Sequence, residues 1–218
     1  LGAANQDLMA CIASCLCYGS RKQFMSKIEY ILDVSQHQPV DGLCSGDYVH
    51  DIPDDSWCYY RLYTNHKMRS FLRALKKLYE EYGSMAVFTE MEVKGHCPSE
   101  SGRIALKAIC DYFFSQGITG IVPRYGSTCK RLCMFLRWMC RDHSPVDLGL
   151  WSDWIDKRSL FIPLDTHVLR VSQSMGLIPH RSASWSTVVL LTETMRKVFP
   201  DDPAKGAFAL FGLGIQDH

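Results

Sequence analysis

The most informative part of the sequence is FIPLDTHVLRV, residues 161–171. An apolar run that contains Pro163 ends in an acid, Asp165, and an amphipathic segment follows it. Asp is a preferred residue at a helix N-cap, and Gly176, about three turns later, is a common stop signal. The stretch therefore predicts a helix that begins directly after Asp165.

A carboxylate at this position can have two roles. It faces the unpaired backbone N–H groups of the first helical turn, so it can serve only as a cap. It can also stabilise a positive charge that develops on a bound substrate. The rest of the chain has to distinguish a structural Asp165 from a catalytic one.

Apolar residues recur at helical spacing on both sides of this stretch. We expect one helix that ends before Gly19, one after Ser20, helices over about 65–82, 102–116 and 128–141, and three more that follow Asp165, Ser184 or Ser186, and Asp202. Residues 36–58 and 90–100 are expected to be irregular, and 118–127 to form a Gly/Pro turn. No segment alternates like a strand. The pattern predicts an all-α single domain, residues 1–218, of eight to ten helices.

Composition narrows the class of protein. The chain has 218 residues, of which 47% are hydrophobic and 22% charged, and this balance is typical of globular proteins. No apolar run approaches the roughly 18 residues that a membrane span needs, and no leader sequence is recognisable. A net charge of +1 means that any basic surface must be local. We expect a cytoplasmic monomer that does not bind membranes.

The chain contains ten cysteines. Six of them lie within two apolar segments: Cys11, Cys15 and Cys17, and Cys129, Cys133 and Cys140. Cysteine in such segments is typical of small buried side chains, so reduced thiols are the better interpretation than disulfides. A metal site that combines the second group with His143 would match no common zinc spacing. No cofactor is expected.

Residues 117–176 combine a Gly/Pro turn, a basic helix and the segment Leu164-Asp165-Thr166-His167. This arrangement resembles the helix-hairpin-helix DNA glycosylase superfamily, which contains endonuclease III and the adenine mismatch glycosylase. In that superfamily the catalytic acid lies in a Val-Asp-Thr-His segment at a helix start, so the resemblance assigns this role to Asp165. It also implies a two-lobed helical fold with a cleft around residues 117–176.

A closer resemblance covers nearly the whole chain. Four stretches carry it: CKRLCMFLRWMCR (129–141), SPVDLGLW (144–151), IPLDTHV (162–168) and FALFGLGI (208–215). They resemble a bacterial family of unknown function that is placed distantly in the same superfamily. The resemblance implies that this chain keeps the superfamily fold.

The hairpin departs from the superfamily pattern Leu-Pro-Gly-Val-Gly-x-x-Thr-Ala. Residues 121–128 keep only a Pro and a Gly three residues later, so we expect a degenerate hairpin. In that frame Thr128, and not Lys130, occupies the position of the lyase lysine. No cysteine follows Cys140, which excludes an iron–sulfur cluster of the endonuclease III kind.

Cleavage of a glycosidic bond develops positive charge on the sugar, and Asp165 would supply the carboxylate that stabilises it. Lys130 is the candidate Schiff-base nucleophile. An equally supported alternative is that Lys130 and Arg131 only form a solvated or phosphate-binding helix start. We expect Lys130 to begin a polar stripe with Arg137 and Arg141, opposite Leu132, Phe135, Leu136 and Met139.

Basic residues supply candidate phosphate contacts. These DNA-binding candidates are Arg21, Lys22, Arg131, Arg137 and Arg170. Supporting roles are assigned to His167, which can hydrogen-bond near the acid, to Trp138, which can stack on a base, and to Ser127, which can cap the basic helix. Trp151 and Trp154 could also stack on a base, although aromatics at helical spacing usually belong to a core.

Two functions from different classes remain open. The first is a DNA base-excision glycosylase, with or without lyase activity, that acts on a damaged base flipped out of the duplex. The second is a non-catalytic nucleic-acid-binding module in which Asp165 is only a cap. An enzyme acting on nucleosides or other small molecules is a third, less favoured alternative. The surroundings of Asp165 should discriminate between them.

Overall fold

A computed structural model describes residues 1–216, and α-helices dominate this part of the chain. The helices are α1 (Ala3–Leu16), α2 (Arg21–Val34), α3 (Pro39–Ser45), α4 (Tyr48–Asp51), α5 (Asn65–Tyr82), α6 (Met85–Val93), α7 (Ser101–Ser115), α8 (Lys130–Cys140), α9 (Thr166–Ser174), α10 (Trp185–Val198) and α11 (Ala207–Gln216). Short 3-10 helices span Pro98–Glu100, Lys157–Ser159 and Pro203–Gly206, and one small hairpin pairs β1 (Cys58–Tyr60) with β2 (Tyr63–Thr64). The all-α prediction is confirmed.

The chain forms two compact units. Unit 1 comprises residues 1–92 and 108–123, and unit 2 comprises residues 93–107 and 124–218. Helix α7 contributes residues to both units. The cleft expected around residues 117–176 stays a prediction.

Helix α5 organises unit 1. Thr64 accepts a hydrogen bond from the Lys67 backbone N–H at 3.2 Å and so caps the helix start. The helix ends at Gly83, whose φ of 78° lies in the left-handed region that glycine adopts without strain. Apolar spacing predicts an inner face that ends with Tyr82, which is only half-buried, and whose other six members are buried: Met68, Phe71, Leu72, Leu75, Leu78 and Tyr79. Burial of each large apolar side chain stabilises the unit by about 1.5–3 kcal/mol.

An extended segment, residues 160–164, organises unit 2. All five residues are buried, and the Ile162 N–H donates to the Thr192 hydroxyl of α10 at 3.1 Å. Helix α8 packs its apolar face inward, and Phe135 meets the fully buried Trp151 edge-on at 5.1 Å between ring centroids. The segment thus delivers residue 165 from the core of the unit to the start of α9.

Residues 36–58 were expected to be irregular, and this prediction is wrong. Helix α3 begins with Pro39 in its first turn and ends at Gly46 with φ of 83°, and α4 follows it. Pro at a helix start and Gly after its end are recognisable signals. At seven and four residues, however, these helices are too short to display a repeated apolar stripe.

Two further differences lie between residues 58 and 93. The β1–β2 hairpin was not expected, because strands of three and two residues cannot show an alternating pattern. Residues 90–93 were assigned to a loop but belong to α6. The Ser84 hydroxyl accepts from the Val87 N–H at 3.1 Å, so a capping serine marked this helix in the sequence.

Candidate functional site

Asp165 is the N-cap residue of α9. Its backbone is extended, and Oδ1 accepts a hydrogen bond from the Val168 N–H at 2.8 Å. This geometry satisfies one of the unpaired donors of the first turn. Gly176, with φ of 69°, follows the last turn, so both ends of α9 are as predicted.

The second oxygen of the same carboxylate meets a lysine. Lys130 is the first residue of α8, and its Nζ lies 3.2 Å from Asp165 Oδ2. The Asp165 side chain is 13% exposed and that of Lys130 is 37% exposed. The Asp165 carboxylate therefore contacts a backbone N–H through one oxygen and an ammonium through the other, and little of it is exposed to solvent. The two candidate catalytic residues, 35 positions apart in sequence, form one site in unit 2.

The start of α8 differs from the prediction. The helix was expected at Thr128 with Ser127 as its cap, but it begins at Lys130. Cys129 precedes it in the left-handed region with φ of 48°. The Ser127 hydroxyl donates to the Arg124 carbonyl at 2.8 Å and closes the preceding turn. The capping role of Ser127 is wrong, because α8 begins at Lys130 and Cys129 occupies the N-cap position.

The expected polar stripe on α8 is also wrong beyond Lys130. Arg137 is 5% exposed, its Nη2 lies 3.2 Å from Asp147 Oδ1, and its guanidinium stacks 4.1 Å from the Phe208 ring centroid. Burial lowers the pKa of Arg137, against the opposing effect of Asp147. Arg137 is therefore part of the interior and unsuited to a phosphate contact.

Arg141 and Arg137 share the Asp147 carboxylate, and together the three side chains form a buried ionic network. Arg141 pairs with Asp147 Oδ2, and its Nε donates to Asp202 Oδ2 at 2.9 Å. Ser144 donates a further hydrogen bond to Asp147 at 2.9 Å. These contacts join the end of α8 to two loops of unit 2, and they leave the Asp147 side chain with no exposed surface.

His167 and Arg170 dock α11 against α9. His167 Nδ1 and Arg170 Nη2 lie 3.1 Å and 2.6 Å from the Gly214 carbonyl oxygen. The two helices approach closely, because a Cβ built on Gly214 would lie only 2.8 Å from the His167 Cβ. The hydrogen bond of His167 Nδ1 therefore joins α9 to another helix, α11. Arg170 is an exposed residue of α9, and its role in DNA binding stays a prediction.

The tryptophans separate into core and partly exposed residues. Trp151 is 1% exposed and belongs to the core, with Trp154 packed at 6.1 Å between ring centroids. Trp138 is half-buried, and its carbonyl accepts from Leu148 and Gly149. The sequence interpretation missed Trp185, which contacts Tyr125 at 5.6 Å and Phe161 at 4.7 Å. Ser184, a recognisable cap that accepts from Thr187, was the signal that could have drawn attention to it.

The cysteines of this region are buried, reduced thiols. Burial raises the pKa of both Cys133 and Cys140 well above the usual range, while the His143 side chain is 90% exposed. Among residues 1–216, no three His, Cys, Asp or Glu side chains are placed to hold a metal ion. No helix in the same range is long and apolar enough to span a membrane.

The remaining basic candidates lie at helix starts. Arg21 and Lys22 are the first residues of α2 in unit 1, and both are exposed. Arg131 is half-buried beside Lys130 in unit 2. Their joint use in binding DNA stays a prediction.

Comparison with known protein families identifies the family to which this sequence is similar. Residues 2–216 match the family described as "Protein of unknown function (DUF2400)". No curated protein and no solved structure matches the chain. The match extends over nearly the whole sequence, which agrees with the expectation of a family of unknown function. The resemblance to helix-hairpin-helix glycosylases stays a prediction. The chain belongs to the DUF2400 family.

Proposed function

We propose that this chain is a DNA base-excision glycosylase-like protein that acts on a flipped, damaged base. One observation carries the proposal: the Asp165 carboxylate, held at the start of α9 by the Val168 N–H, lies 3.2 Å from Lys130 Nζ at the start of α8. A positioned carboxylate beside an amine is the combination that glycosidic bond cleavage uses. The resemblance of Leu164-Asp165-Thr166-His167 to the catalytic segment of the superfamily supports the same assignment.

The chemistry assigns the main role to Asp165. When the bond between C1′ of the sugar and the base breaks, the base leaves with the electron pair and takes up a proton. The sugar becomes positively charged, and the fixed carboxylate stabilises that charge. Water then adds to C1′ and gives up a proton, which Asp165 can accept. The products are a free base and an abasic site.

Lys130 offers a second route to the same bond. Its ammonium must lose a proton before Nζ can attack, and Asp165 Oδ2, at 3.2 Å, can accept that proton. Nζ then bonds to C1′ as the base leaves, and opening of the sugar ring yields an iminium that borohydride would reduce to a stable amine. This route makes the protein a glycosylase with lyase activity.

The distribution of basic residues supports a polyanionic substrate. Lys130 and Arg131 start α8, and Arg21 and Lys22 start α2, with no acidic residue in either first turn. Cations at a helix N-terminus oppose the helix dipole, so helix stability does not account for them. Contacts to DNA phosphates would account for both pairs. None of the ten cysteines is joined in a disulfide, and we extend the proposal to a reducing, cytoplasmic location.

The decisive experiment is an assay of base release from duplexes that carry uracil, 8-oxoguanine, an alkylated base or an abasic site. We expect the wild type to release at least one base and Asp165→Asn to lose this activity by orders of magnitude. Lys130→Ala should leave base release intact in a monofunctional enzyme, and should abolish borohydride trapping if Lys130 is the nucleophile.

Matched controls come from a second pair in unit 2. Lys157 Nζ lies 2.5 Å from Asp142 Oδ1, and each side chain is 35% exposed. Asp142→Asn and Lys157→Ala remove the same chemical groups from a comparable ion pair and should retain activity. The glycosylase proposal fails if Asp165→Asn cleaves as fast as the wild type, or if the control variants lose as much activity.

One observation favours the binding module as a second candidate. The hydrogen bond from Val168 to Asp165 explains the acid as a helix cap without any chemistry. A binding module would release no base from any duplex, yet its affinity for DNA would fall steeply with salt. Replacing Lys130 and Arg131 by Ala should flatten the slope of log affinity against log salt by about one for each lost phosphate contact. An affinity that does not change with salt would refute both candidates.

A further inference from the structure

Unit 1 contains a cavity of about 60 Å³ that is partly open to solvent. Apolar side chains dominate its lining, and Leu8, Ile12 and Leu72 there are at most 4% exposed. Helix α2 closes one side with Ile31 and Val34, but none of the described residues of α2 is fully buried. A single water needs about 10–15 Å³, so the enclosed space exceeds that of one water several-fold, and the opening to solvent lets part of a larger ligand remain outside.

The charged residues that line the cavity are both acidic. Asp47 and Asp51 lie in its lining, and among the described residues that line it none is basic. Both acids are exposed at the solvent side of the cavity lining. Two carboxylates beside an apolar cavity create a local potential that attracts a cation and repels an anion.

Three tyrosines share the lining with these acids. Tyr30, Tyr48 and Tyr59 present aromatic rings, which attract organic cations through their negative faces. Tyr59 is 9% exposed, and its hydroxyl has no hydrogen-bond partner in the described part of the chain. The Lys27 ammonium lies 4.5 Å from the centroid of the Tyr59 ring, so the rings of Tyr30 and Tyr48 are the ones left for a ligand cation. A buried hydroxyl without a partner is costly unless a ligand or water satisfies it.

We propose that this cavity binds a small organic ammonium compound. Its hydrocarbon part would enter among the apolar side chains, and its cationic group would lie beside Asp47 and Asp51. The ligand class follows from three features that coincide in one place: apolar space, two carboxylates and three tyrosines. This site lies wholly in unit 1 and does not depend on the chemistry of Asp165.

The test compares benzylamine, which is an ammonium at neutral pH, with benzyl alcohol, its neutral isostere. Each is titrated into the intact chain, and backbone amide chemical shifts report the affinity and the location. We expect saturable benzylamine binding with shift changes around α2, α3 and α4, and at least tenfold weaker binding of benzyl alcohol. The double variant Asp47→Asn/Asp51→Asn should weaken benzylamine about tenfold and leave benzyl alcohol unchanged.

A second variant tests the cavity itself. Val34 is 49% exposed, so Val34→Trp can occupy the opening without disturbing the fold, and it should abolish binding of both probes. Matched controls are Val87→Trp on α6, where Val87 is 42% exposed, and Asp41→Asn on α3, because neither residue lines the cavity. The controls should bind as the wild type does. Equal affinity for the two probes, no effect of the Asp47/Asp51 double variant, or undiminished binding by Val34→Trp would each overturn the proposal.

Discussion

Helix α8 carries ion pairs at both ends, and the two ends differ in their access to solvent. At its start Lys130, 37% exposed, pairs with Asp165, 13% exposed. Near its end Arg137 and Arg141 pair with Asp147, and the side chains are 6%, 11% and 0% exposed. The same helix therefore holds one accessible pair and one sealed network.

This difference separates stability from function. Charges removed from water require their partners, because a buried ion left alone costs several kcal/mol. A pair whose lysine is partly exposed contributes less to the free energy of unfolding, since water solvates the Lys130 ammonium when the two ions separate. The sealed network stabilises unit 2, whereas the partly exposed Lys130 can exchange its contact with Asp165 for water or, under the proposed function, for a substrate.

The largest expected effect is on the sealed network. Asp147→Asn keeps the shape of the side chain but leaves Arg137 and Arg141 without their shared carboxylate. We expect the free energy of unfolding to fall by about 3–5 kcal/mol, as measured by urea denaturation. Asp153→Asn, an exposed acid in the following loop, is the control and should change it by less than about 0.5 kcal/mol. A small effect of Asp147→Asn would remove the distinction between the two ends of α8.

Asp7 in unit 1 can be compared with Asp147, because it is also a buried carboxylate. Its hydrogen-bond donors, however, are uncharged groups. Burial raises the pKa of Asp7 to about 6, although hydrogen bonds from the Tyr79 hydroxyl and the Ala86 N–H lower it. In the unfolded chain its pKa lies near 3.8, so folding favours the protonated acid. The resulting stability is complete below pH 3.8 and is lost as the pH rises through 6.

This loss amounts to roughly 3 kcal/mol, the free-energy equivalent of the difference between the two pKa values. Urea denaturation between about pH 4 and pH 7 measures it, with Asp7→Asn as the matched variant. The decline over this range should be about 3 kcal/mol smaller in the variant. Parallel profiles for the two proteins would show that Asp7 does not take up a proton on folding.

A smaller effect is expected at the accessible pair. Asp165→Asn is the same chemical change as Asp147→Asn, and Asn caps a helix about as well as Asp. The charge–dipole contribution and the ion pair with Lys130 are lost, but water can solvate the partly exposed ammonium, so the free energy of unfolding should fall by about 1 kcal/mol. Thermal and urea unfolding of the two variants, measured side by side, provide the comparison. A loss as large as that of Asp147→Asn would make Asp165 a structural residue.

The smallest effect is expected for Lys130→Ala. Its side chain is more than a third exposed, so the free energy of unfolding should change by about 0.5 kcal/mol or less. Lys157 is similarly exposed and pairs with Asp142, so Lys157→Ala should change the free energy of unfolding by a similarly small amount. A marked gain in stability at Lys130 alone would indicate that this lysine opposes the dipole of α8 and is retained for another reason.

The features of the fold that depend on neighbouring residues could be predicted from the sequence. The boundaries of α5 and the cap at Asp165 depend on residues within three or four positions, namely Thr64 with Lys67 and Asp165 with Val168. Apolar spacing over the eighteen residues of α5 also identified the buried face of that helix. Shorter elements such as α4 and β2 were not predicted, because four or two residues are too few to show a helical or strand period of apolar residues.

Tertiary structure decided which charges remain accessible. The sequence placed Lys130, Arg137 and Arg141 on one helix and gave no means to rank their exposure, since the partners Asp147, Asp202 and Phe208 come from other segments. The hairpin pattern pointed to Thr128 as the lyase position, and only folding brought Lys130 to Asp165 across 35 residues. Helix periodicity and capping are properties of neighbouring residues, whereas burial and ion pairing depend on every element that packs around a side chain.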